Sequence, residues 1–375
     1  MLKRSTKLLA ITIVTYTLIE LVCFVFIKFG YVKAKLPDFK YSYTLTEYPF
    51  PIADIDSIWG TWHYPEHFLR EENCLKFNYH INSWGARDIE RSLHHKDSNR
   101  VIVLGDSFME GYGMAEGKRL SNQLEKNTNR QFLNFSCTNF GTTQELLLYQ
   151  NLASKFDHST LLIGILPYND FEDNDTSLHM NPYYKRFRPY YKGIAPNYHL
   201  VYCEDSIQKT NFNKQGFFKK ENSPKARITR FFRAYTCWFN IITFFLDYDI
   251  VSHQKQTLGS YQYRREQWEK MCFILQNIKK AADHRRIIVI TIPTSADIKK
   301  FRLSGQPPLK EAMDSFCRIN NMEYVDLLPL FASRPHSEDE FYFTCDPHWN
   351  EAGNTFAAEQ LKHLFIEPDH RKSSN

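Results

Sequence analysis

Three residues in two distant segments of this chain have the types needed for nucleophilic chemistry. Ser107 follows the apolar run 101–104, and Asp346 and His348 lie close together near the C-terminus. A serine hydroxyl is a weak nucleophile at neutral pH unless a base takes its proton, and histidine suits this role because its pKa is about 6.5. A carboxylate fixes the histidine tautomer and stabilises the imidazolium. The pattern predicts Ser107 as nucleophile, His348 as base and Asp346 as the carboxylate that orients the base.

Attack on a carbonyl also requires hydrogen-bond donors for the oxyanion that forms. Gly141 follows a predicted strand at 132–135, and a glycine there lets a backbone N–H come close to a ligand. Asn169 follows a second predicted strand at 160–166 and carries an amide donor. The N–H groups of Ser107 and Gly141 and the amide of Asn169 are therefore the predicted oxyanion hole. The alternative is that Ser107 and Asn169 are ordinary turn residues, as these types often are.

The elements that must position these residues alternate between strand and helix. Apolar runs of strand length alternate with segments of helical period, which predicts a parallel α/β sheet covered on both faces. The candidate residues follow the carboxyl ends of strands or precede the last helix, where open α/β sheets bind ligands. The predicted strands are 101–104, 132–135, 160–166, 286–292 and 324–327, and the predicted helices are 116–127, 142–155, 263–282, 309–319 and 351–364.

Over roughly residues 82–364 the chain resembles the SGNH/GDSL hydrolase superfamily. Gly105-Asp106-Ser107 resembles the family's first block, Gly141 the second, Asn169-Asp170 the third, and Asp346 with His348 the last. The resemblance implies a flavodoxin-like three-layer α/β/α sandwich that cleaves or transfers acyl groups without a metal or another cofactor. It implies the same roles for Ser107, His348, Asp346, Gly141 and Asn169. The predicted hydrolase-like domain is 100–366 with an insertion at 171–261, followed by a polar tail at 367–375.

Two positions depart from the family pattern. Pro167 stands where the third block usually starts with glycine, and the last block is Asp-x-His rather than Asp-x-x-His. The shorter form followed by Trp349 is similar to that of alginate-type O-acetyltransferases and many membrane-anchored bacterial members. The predicted function is a serine-dependent acyl ester hydrolase acting on an acylated envelope glycan or lipid. The alternatives are an O-acyltransferase that modifies an envelope polysaccharide, and a non-catalytic glycan-binding or assembly module on a hydrolase scaffold.

The N-terminal residues 1–30 are predicted to form a membrane anchor. Residues 8–29 are mostly apolar and long enough to cross a bilayer as a helix. Basic residues on the N-terminal side favour a cytoplasmic N-terminus, which predicts a single-pass protein of the inner (cytoplasmic) membrane with its catalytic domain outside the cytoplasm. A signal peptide cleaved near residues 32–34 is the alternative. Glu20 within the span is expected to face a partner helix or to lie near water.

The segments flanking the predicted domain carry further hypotheses. Residues 31–99 are interpreted as an extended connector that packs on the main domain, with Arg87 either near the site or in a surface ion pair. Within the insertion, residues 181–192 alternate aromatic and basic types, which suits a sugar or an anionic headgroup but also a solvated loop. Residues 228–246 are aromatic and apolar, and as a helix they would be apolar over much of its circumference, which favours a packed cap, with a membrane-facing lid as the alternative.

Composition excludes other classes of function. The chain has 375 residues, 43% of them hydrophobic, and a formal net charge of +5 without a basic patch, so no nucleic-acid partner is predicted. None of the eight cysteines form a Cys-x-x-Cys pair, which argues against a zinc or thioredoxin-like site. A disulfide among them is compatible with an oxidising compartment, but its pairing cannot be read from spacing.

Overall fold

A computed structural model of the chain describes residues 2–32, 34, 36–37, 53–63, 65–72, 75–96, 99–175, 188–202, 224–253 and 258–366. The chain divides into two compact units. The first is formed by Met1–Pro51 and Phe218–Gln256, and the second by Ile52–Phe217 and Thr257–Asn375. The predicted boundaries at residues 30, 99 and 366 stay predictions.

The second unit is built on a five-stranded parallel sheet in the order β11-β10-β7-β5-β6. Its central strands are entirely buried, because both faces are covered. In chain order the described strands are β1 (Ala53–Asp56), β2 (Gly60–His63), β3 (Glu66–Glu72), β4 (Leu75–Ile81), β5 (Val101–Leu104), β6 (Phe132–Asn134), β7 (Thr160–Ile165), β8 (Tyr190–Ile194), β9 (Asn197–Val201), β10 (Arg286–Thr291) and β11 (Glu323–Asp326).

Helices of the second unit lie on both faces of this sheet. Three further described helices belong to the first unit. In chain order the described helices are α1 (Leu2–Lys28), α2 (Ser107–Glu110), α3 (Leu120–Thr128), α4 (Thr142–Asn151), α5 (Asp170–Asp173), α6 (Pro224–Tyr235), α7 (Cys237–His253), α8 (Arg265–Ala282), α9 (Ser295–Ser304), α10 (Pro308–Ile319), α11 (Leu327–Ala332), α12 (Ser337–Glu340) and α13 (Glu351–Leu361).

Alternate side chains of each central strand enter two separate cores. Ile102 and Leu104 of β5 pack with α4, α8 and α10 on one face of the sheet. Val101 and Val103 pack with α3, α9, α11 and α13 on the other face. This alternation follows from the two-residue period of a strand. The predicted three-layer α/β/α fold with a parallel sheet is therefore confirmed.

The strand order places a topological switch point between β5 and β7. The chain moves from β5 outward to β6, then returns past β5 to β7 and continues to β10 and β11. This is the flavodoxin-like order, in which the loops on either side of the switch point diverge and leave a crevice at the carboxyl ends of the strands. The loops that carry Ser107 and Asn169 follow the two strands at this crevice.

The predicted elements of the sheet and its helices match the observed ones, with shifted ends. The predicted helix at 116–127 begins only at Leu120, and the predicted helix at 142–155 ends at Asn151 before a short 3₁₀ turn at Ala153–Lys155. The helix α9 was not predicted. Its start is fixed by Thr294, whose hydroxyl accepts a hydrogen bond from the backbone N–H of Asp297, while the Asp297 carboxylate accepts from the Thr294 N–H.

The predicted connector contains more regular structure than expected. Strands β1 and β2 form one antiparallel hairpin, and β3 and β4 form another. Trp59 and Ala86 belong to the same buried cluster as Leu104, so these two residues pack on the sheet domain. Aromatic side chains that showed no period in the sequence make these contacts, for example Trp62 against Phe140 with ring centroids 5.9 Å apart.

The described part of the insertion in the second unit forms the hairpin β8–β9. Tyr190 is buried, and Tyr191 packs edge-on against Phe273 of α8. Arg188 is also buried, and its guanidinium donates to the Asp173 carboxylate at 2.6 Å. These residues of the predicted aromatic and basic surface therefore pack on the body, and residues 181–187 lie outside the described ones.

The first unit contains α1, α6 and α7. Thr6–Lys28 is long and apolar enough to cross a membrane, with a mean hydropathy of 2.3. The apolar segment 228–246 is helical but not continuous, because the chain breaks at Thr236 between α6 and α7. The carboxylate of Glu20 in α1 accepts a hydrogen bond from the Cys237 N–H at 2.7 Å. Glu20 therefore faces another helix, which is the first of the two alternatives expected from the sequence.

Candidate active site

The turn after β5 presents Ser107 at the carboxyl edge of the sheet. Gly105 has φ of 154°, and a Cβ there would lie 2.4 Å from the side chain of Met109. A residue with a side chain therefore does not fit at this position. Asp106 caps α2 by accepting a hydrogen bond from the Phe108 N–H at 3.0 Å. Ser107 is the first residue of α2, and its side chain is held in a defined place by this cap.

The loop before α13 is anchored at both of its ends. Trp349 is buried and stacks on Phe331 with ring centroids 5.0 Å apart. The side chain of Asn350 caps α13 through the Gly353 N–H and donates to the Tyr342 carbonyl. The backbone carbonyl of His348 accepts from the Phe343 N–H at 3.1 Å. Together these contacts restrict the backbone around His348.

Ser107, His348 and Asp346 form a continuous hydrogen-bonded chain. The distance between Ser107 Oγ and His348 Nε2 is 2.7 Å, and that between His348 Nδ1 and Asp346 Oδ1 is 2.5 Å. Asp346 Oδ1 also accepts the backbone N–H of His348 at 3.0 Å. The shortened Asp-x-His spacing therefore reaches the imidazole from within one loop. This geometry allows Nε2 to take the serine proton while the carboxylate stabilises the resulting charge.

Two aromatic side chains hold the plane of the imidazole. The centroid of the His348 ring lies 4.8 Å from that of Phe108 and 4.6 Å from that of Tyr112, with interplanar angles of 37° in both cases. Phe108 also contacts Trp349 edge-on at 5.3 Å. Neither aromatic residue was predicted from the sequence as part of the site. Their positions, one and five residues after Ser107, are the only sequence feature that indicates them.

Asn169 lies directly beside the nucleophile turn. Its side-chain amide donates to Asp106 Oδ2 at 3.2 Å, and its Oδ1 atom is buried with no hydrogen-bond partner among the described residues. The turn closes through bonds from Asn169 N–H and Asp170 N–H to the Leu166 carbonyl. Since neither bond requires an N–H at residue 167, proline is compatible with this turn.

Gly141 packs against the helix that follows Asn169. A Cβ at this position would lie 2.9 Å from Cβ of Asp173, so only glycine allows the loop to approach α5 this closely. The Gly141 N–H points toward Gln144 Oε1 at the long distance of 3.4 Å. The Gly141 N–H thus makes only a weak internal bond, which a bond to an oxyanion could replace. The assignment of Ser107, Gly141 and Asn169 as an oxyanion hole stays a prediction.

Arg87 supports the nucleophile segment from behind. It is buried and is not in a surface ion pair, so this alternative is wrong. Its guanidinium donates to the carbonyls of Gly111 and Met114, each at 2.6 Å, and lies 4.1 Å from the centroid of the Tyr79 ring. These bonds fix the loop that carries Tyr112, so Arg87 acts on the site through the backbone rather than by direct contact.

Glu110 links the nucleophile helix to the loop of Gly141. It is the last residue of α2 and is fully buried. One carboxylate oxygen accepts from the Tyr79 hydroxyl at 2.6 Å, and the other accepts from both the backbone N–H and the hydroxyl of Thr138. Burial alone would raise the pKa of Glu110, but His63, Arg87 and these hydrogen bonds outweigh it and hold the pKa below its ordinary value.

His63, Glu110 and Cys137 bring metal-ligating atoms within 4.8 Å of one another. His63 Nε2 lies 3.6 Å from Cys137 Sγ, a distance that a thiol hydrogen bond explains. The Glu110 oxygens already accept from Tyr79 and Thr138, and the cluster therefore serves as a hydrogen-bond network that joins β2, α2 and the Gly141 loop. The sequence analysis missed this cluster because its members are far apart in the chain.

A second group of buried carboxyls lies behind the nucleophile turn. Burial raises the pKa of Asp106 to about 6, although the Phe108 N–H, His348 and Asn169 act in the opposite direction. Burial and the neighbouring carboxyls also raise the pKa of Glu145 and of Asp170 well above the ordinary value. Both carboxylate oxygens of Glu145 are buried without a hydrogen-bond partner among the described residues. A neutral, protonated Glu145 fits this environment better than a charged one.

The comparisons with known proteins found similar solved structures. One is a member of the lipolytic protein G-D-S-L family from Veillonella parvula, with 11% identity, a TM-score of 0.36, and coverage of 72% of this chain and 99% of that chain. A GDSL-like lipase from Bacteroides thetaiotaomicron has 10% identity, a TM-score of 0.34, and coverage of 73% and 91%. A carbohydrate esterase family 2 enzyme with a carbohydrate-binding domain from Corynascus thermopiles has 10% identity, a TM-score of 0.36, and coverage of 74% and 68%.

No family model and no curated protein matches this chain. At these identities and TM-scores, the similarity carries no information about the substrate or the reaction of this chain. Those properties are inferred from the arrangement of its own residues.

Glu110→Gln is expected to slow the labelling of Ser107 by a fluorophosphonate probe by about ten- to a hundredfold, because small displacements of reacting groups are costly. The amide that replaces the carboxylate cannot accept from both Tyr79 and Thr138. Labelling rates over a range of probe concentrations separate the rate at saturation, which is expected to fall, from probe affinity, which is expected to persist. Glu116→Gln, at a more exposed carboxylate, is the control. Equal saturated rates in both variants would contradict a positioning role for Glu110.

Glu145→Gln is expected to flatten the dependence of stability on pH. A carboxyl whose pKa is raised by folding binds its proton more tightly in the native state, so its contribution to stability is full below about pH 4 and is lost as pH rises through the folded pKa. The free energy of unfolding in urea, measured between pH 5 and 8, should fall less steeply in the variant. Glu351→Gln, at an exposed carboxyl, should keep the slope of the original chain. An unchanged slope in Glu145→Gln would mean that Glu145 is ionised in the native state.

Proposed function

We propose that the protein is a serine-dependent acyl ester hydrolase that works through an acyl-enzyme. The observation that carries this proposal is the chain of short contacts from Ser107 Oγ through His348 to Asp346. A hydroxyl, an imidazole and a carboxylate in this order constitute an activated nucleophile. The position of Ser107 at the switch point of the sheet supports it further, because substrates reach this edge in open α/β folds.

The reaction follows from the roles of these groups. Ser107 Oγ attacks the ester carbonyl while its proton passes to His348 Nε2, and the oxyanion that forms is stabilised by the N–H groups of Ser107 and Gly141 and by the amide of Asn169. Collapse breaks the ester C–O bond, and the alcohol leaves with the proton from His348. Water then gives a proton to His348 and its oxygen to the acyl carbon, which releases the acid and restores Ser107.

The two departures from the family pattern do not favour a non-catalytic scaffold. The Asp-x-His spacing still brings Asp346 Oδ1 to 2.5 Å from His348 Nδ1. The turn at Pro167 keeps the Asn169 amide beside Asp106. The contacts among Ser107, His348 and Asp346 therefore support a catalytic site over a non-catalytic scaffold.

We further propose that the substrate is an acylated glycan or lipid of the cell envelope. The candidate span Thr6–Lys28 would hold the enzyme at a membrane, where such substrates are found. Cys345 is disulfide-bonded, and disulfides persist in oxidising compartments outside the cytoplasm. The span supports an anchor in the inner membrane, which we propose is uncleaved, and the disulfide supports a sheet domain on the outer side of that membrane.

The purified full chain is expected to hydrolyse p-nitrophenyl acetate, and Ser107→Ala is expected to reduce turnover to the background rate, because loss of a serine nucleophile removes nearly all rate enhancement. Release of p-nitrophenol, followed by absorbance, measures the rate. Ser121→Ala, at a buried serine outside the proposed triad, is the matched control and should retain activity. Turnover in Ser107→Ala equal to that of the original chain would refute the proposed nucleophile.

O-acyl transfer remains the second candidate, favoured by the Asp-x-His-Trp form of the last block. Hydrolysis and transfer share the acyl-enzyme and differ in whether water or a sugar hydroxyl accepts the acyl group. In the same assay, with an oligosaccharide added, mass spectrometry is expected to show free acid as the product. An acylated oligosaccharide that requires Ser107 would establish transfer instead.

Fusions at the C-terminal residue are expected to place the sheet domain outside the cytoplasm. Alkaline phosphatase folds only in an oxidising compartment, because it needs disulfides, so its fusion at Asn375 should be active. Green fluorescent protein at the same position should be dark. The reverse pattern would place the site in the cytoplasm and would remove envelope glycans as substrates.

A further inference from the structure

One carboxylate, Glu20, lies within the candidate membrane span of α1. A charged group inside a bilayer is costly unless it finds a partner. Glu20 Oε2 accepts a hydrogen bond of 2.7 Å from the backbone N–H of Cys237, the first residue of α7. The first N–H groups of a helix have no partner within the helix and carry partial positive charge. One oxygen of Glu20 therefore pairs with the start of α7, while Glu20 Oε1 is buried without a hydrogen-bond partner among the described residues.

This contact fixes the depth of α7 along α1. Glu20 lies eight residues before Lys28, the last residue of the candidate span, which corresponds to about 12 Å of helix. Cys237 thus lies beside α1 well inside the span rather than at its end. A helix that starts at this level next to a membrane-spanning helix begins within the hydrocarbon region.

The position and composition of α7 agree with this depth. Ile241 and Phe244 of α7 pack on the buried cluster of Ile27, Ala34 and Cys237, which places α7 beside the part of α1 that follows Glu20. The first carboxylate in the sequence of α7 is Asp247, ten residues after Cys237 and about 15 Å along the helix. The apolar part of α7, about 15 Å, is therefore long enough to cover the distance of about 12 Å between the level of Glu20 and the end of the span.

The turn between α6 and α7 meets the demand that lipid places on a backbone. In hydrocarbon, every N–H and carbonyl must be satisfied within the protein. Thr236 donates through both its N–H and its hydroxyl to the Phe232 carbonyl, at 2.9 and 2.7 Å. The buried side chain of Asn240 donates to the Arg233 carbonyl at 3.1 Å. Together with the bond from Cys237 to Glu20, these contacts satisfy groups that the break in the helix would otherwise leave open.

The outer surface of this helical pair is apolar. Ile228, Phe231 and Tyr235 are spaced along one face of α6 and are 58%, 56% and 44% exposed. Ile242 and Phe245 of α7 are 46% and 53% exposed. Exposed Arg227 at the start of α6 can extend its charged end to a lipid headgroup while its methylene groups stay in the apolar region.

We propose that α6 and α7 form a re-entrant hairpin, residues 224–246, that is embedded beside α1 in the membrane leaflet at the C-terminal end of α1. The occupant of its exposed face is phospholipid. The apolar surface of the hairpin is continuous with α1, because α7 packs on α1, and α1 itself exposes large apolar side chains from Leu8 to Phe26. The proposal rests on the membrane anchor proposed above and adds a second element of the chain to the bilayer.

Photocrosslinking with a diazirine-bearing phospholipid tests the hairpin in the full chain reconstituted into proteoliposomes. After irradiation and digestion, mass spectrometry maps the lipid adducts. Adducts are expected in α1 and also in residues 224–246. Peptides that contain Leu303 or Ile194, which are 86% and 82% exposed in the other unit, serve as internal controls for non-specific labelling and should carry none.

The pattern of adducts separates the two proposals. Adducts in α1 alone would overturn the hairpin and leave the anchor intact, whereas adducts in neither segment would overturn both. Lipid adducts in the Leu303 peptide at the same level as in 224–246 would also overturn the hairpin.

A pair of substitutions adds a test of the apolar face. Phe231→Glu with Ile242→Glu places two charges on side chains that are exposed, so the packing within the unit should persist. Adducts in 224–246 are expected to fall roughly tenfold, because charged side chains are disfavoured in lipid, while adducts in α1 persist. Leu303→Glu is the matched control and should change neither. Undiminished adducts on the hairpin of the double variant would contradict its insertion through this face.

Discussion

The contact of 2.7 Å between Ser107 Oγ and His348 Nε2 joins residues that are 241 positions apart, and much of the second unit serves to hold it. Proton transfer requires a short and aligned hydrogen bond, so both side chains must be fixed before a substrate arrives. Ser107 is fixed by a glycine turn and the Asp106 cap at the end of β5. His348 is fixed by Asp346, by two aromatic rings, and by a loop that Trp349 ties to the core.

Buried carboxyls around this contact behave in two opposite ways. Glu110 accepts hydrogen bonds on both oxygens and has Arg87 and His63 nearby, so its pKa is lowered and its charge is retained. Glu145 has no donor among the described residues and faces other carboxyls, so its pKa is raised. Partners rather than depth decide which buried acid remains ionised, since both side chains are fully buried. The charged Glu110 joins two loops of the site, and Glu145 lies behind these loops.

The first unit shows the same rule in an apolar setting. Glu20 within a long apolar helix finds its partner at the N-terminus of α7, and the break at Thr236 is closed by side-chain and backbone donors. A polar group in hydrocarbon persists only when another group of the chain satisfies it. These contacts therefore explain how the chain can break between α6 and α7 beside α1 without leaving these backbone groups unpaired.

The amino-acid sequence by itself determined the parallel sheet and the candidate residues Ser107, Asp346 and His348. It also determined that chemistry could occur at the carboxyl ends of the strands. These follow from short-range patterns, namely apolar runs of strand length, a glycine after a strand, and residue types that serve nucleophilic catalysis. The tertiary structure alone decided the stacking of Phe108 and Tyr112 on His348, the burial of Arg87, the link from Glu110 to Thr138, and the pairing of Glu20 with Cys237. Each of these involves residues from distant segments whose proximity depends on the whole fold. The break at Thr236 also escaped prediction, because the apolar pattern continues across it and only hydrogen bonds from neighbouring turns and from α1 mark where one helix ends and the next begins.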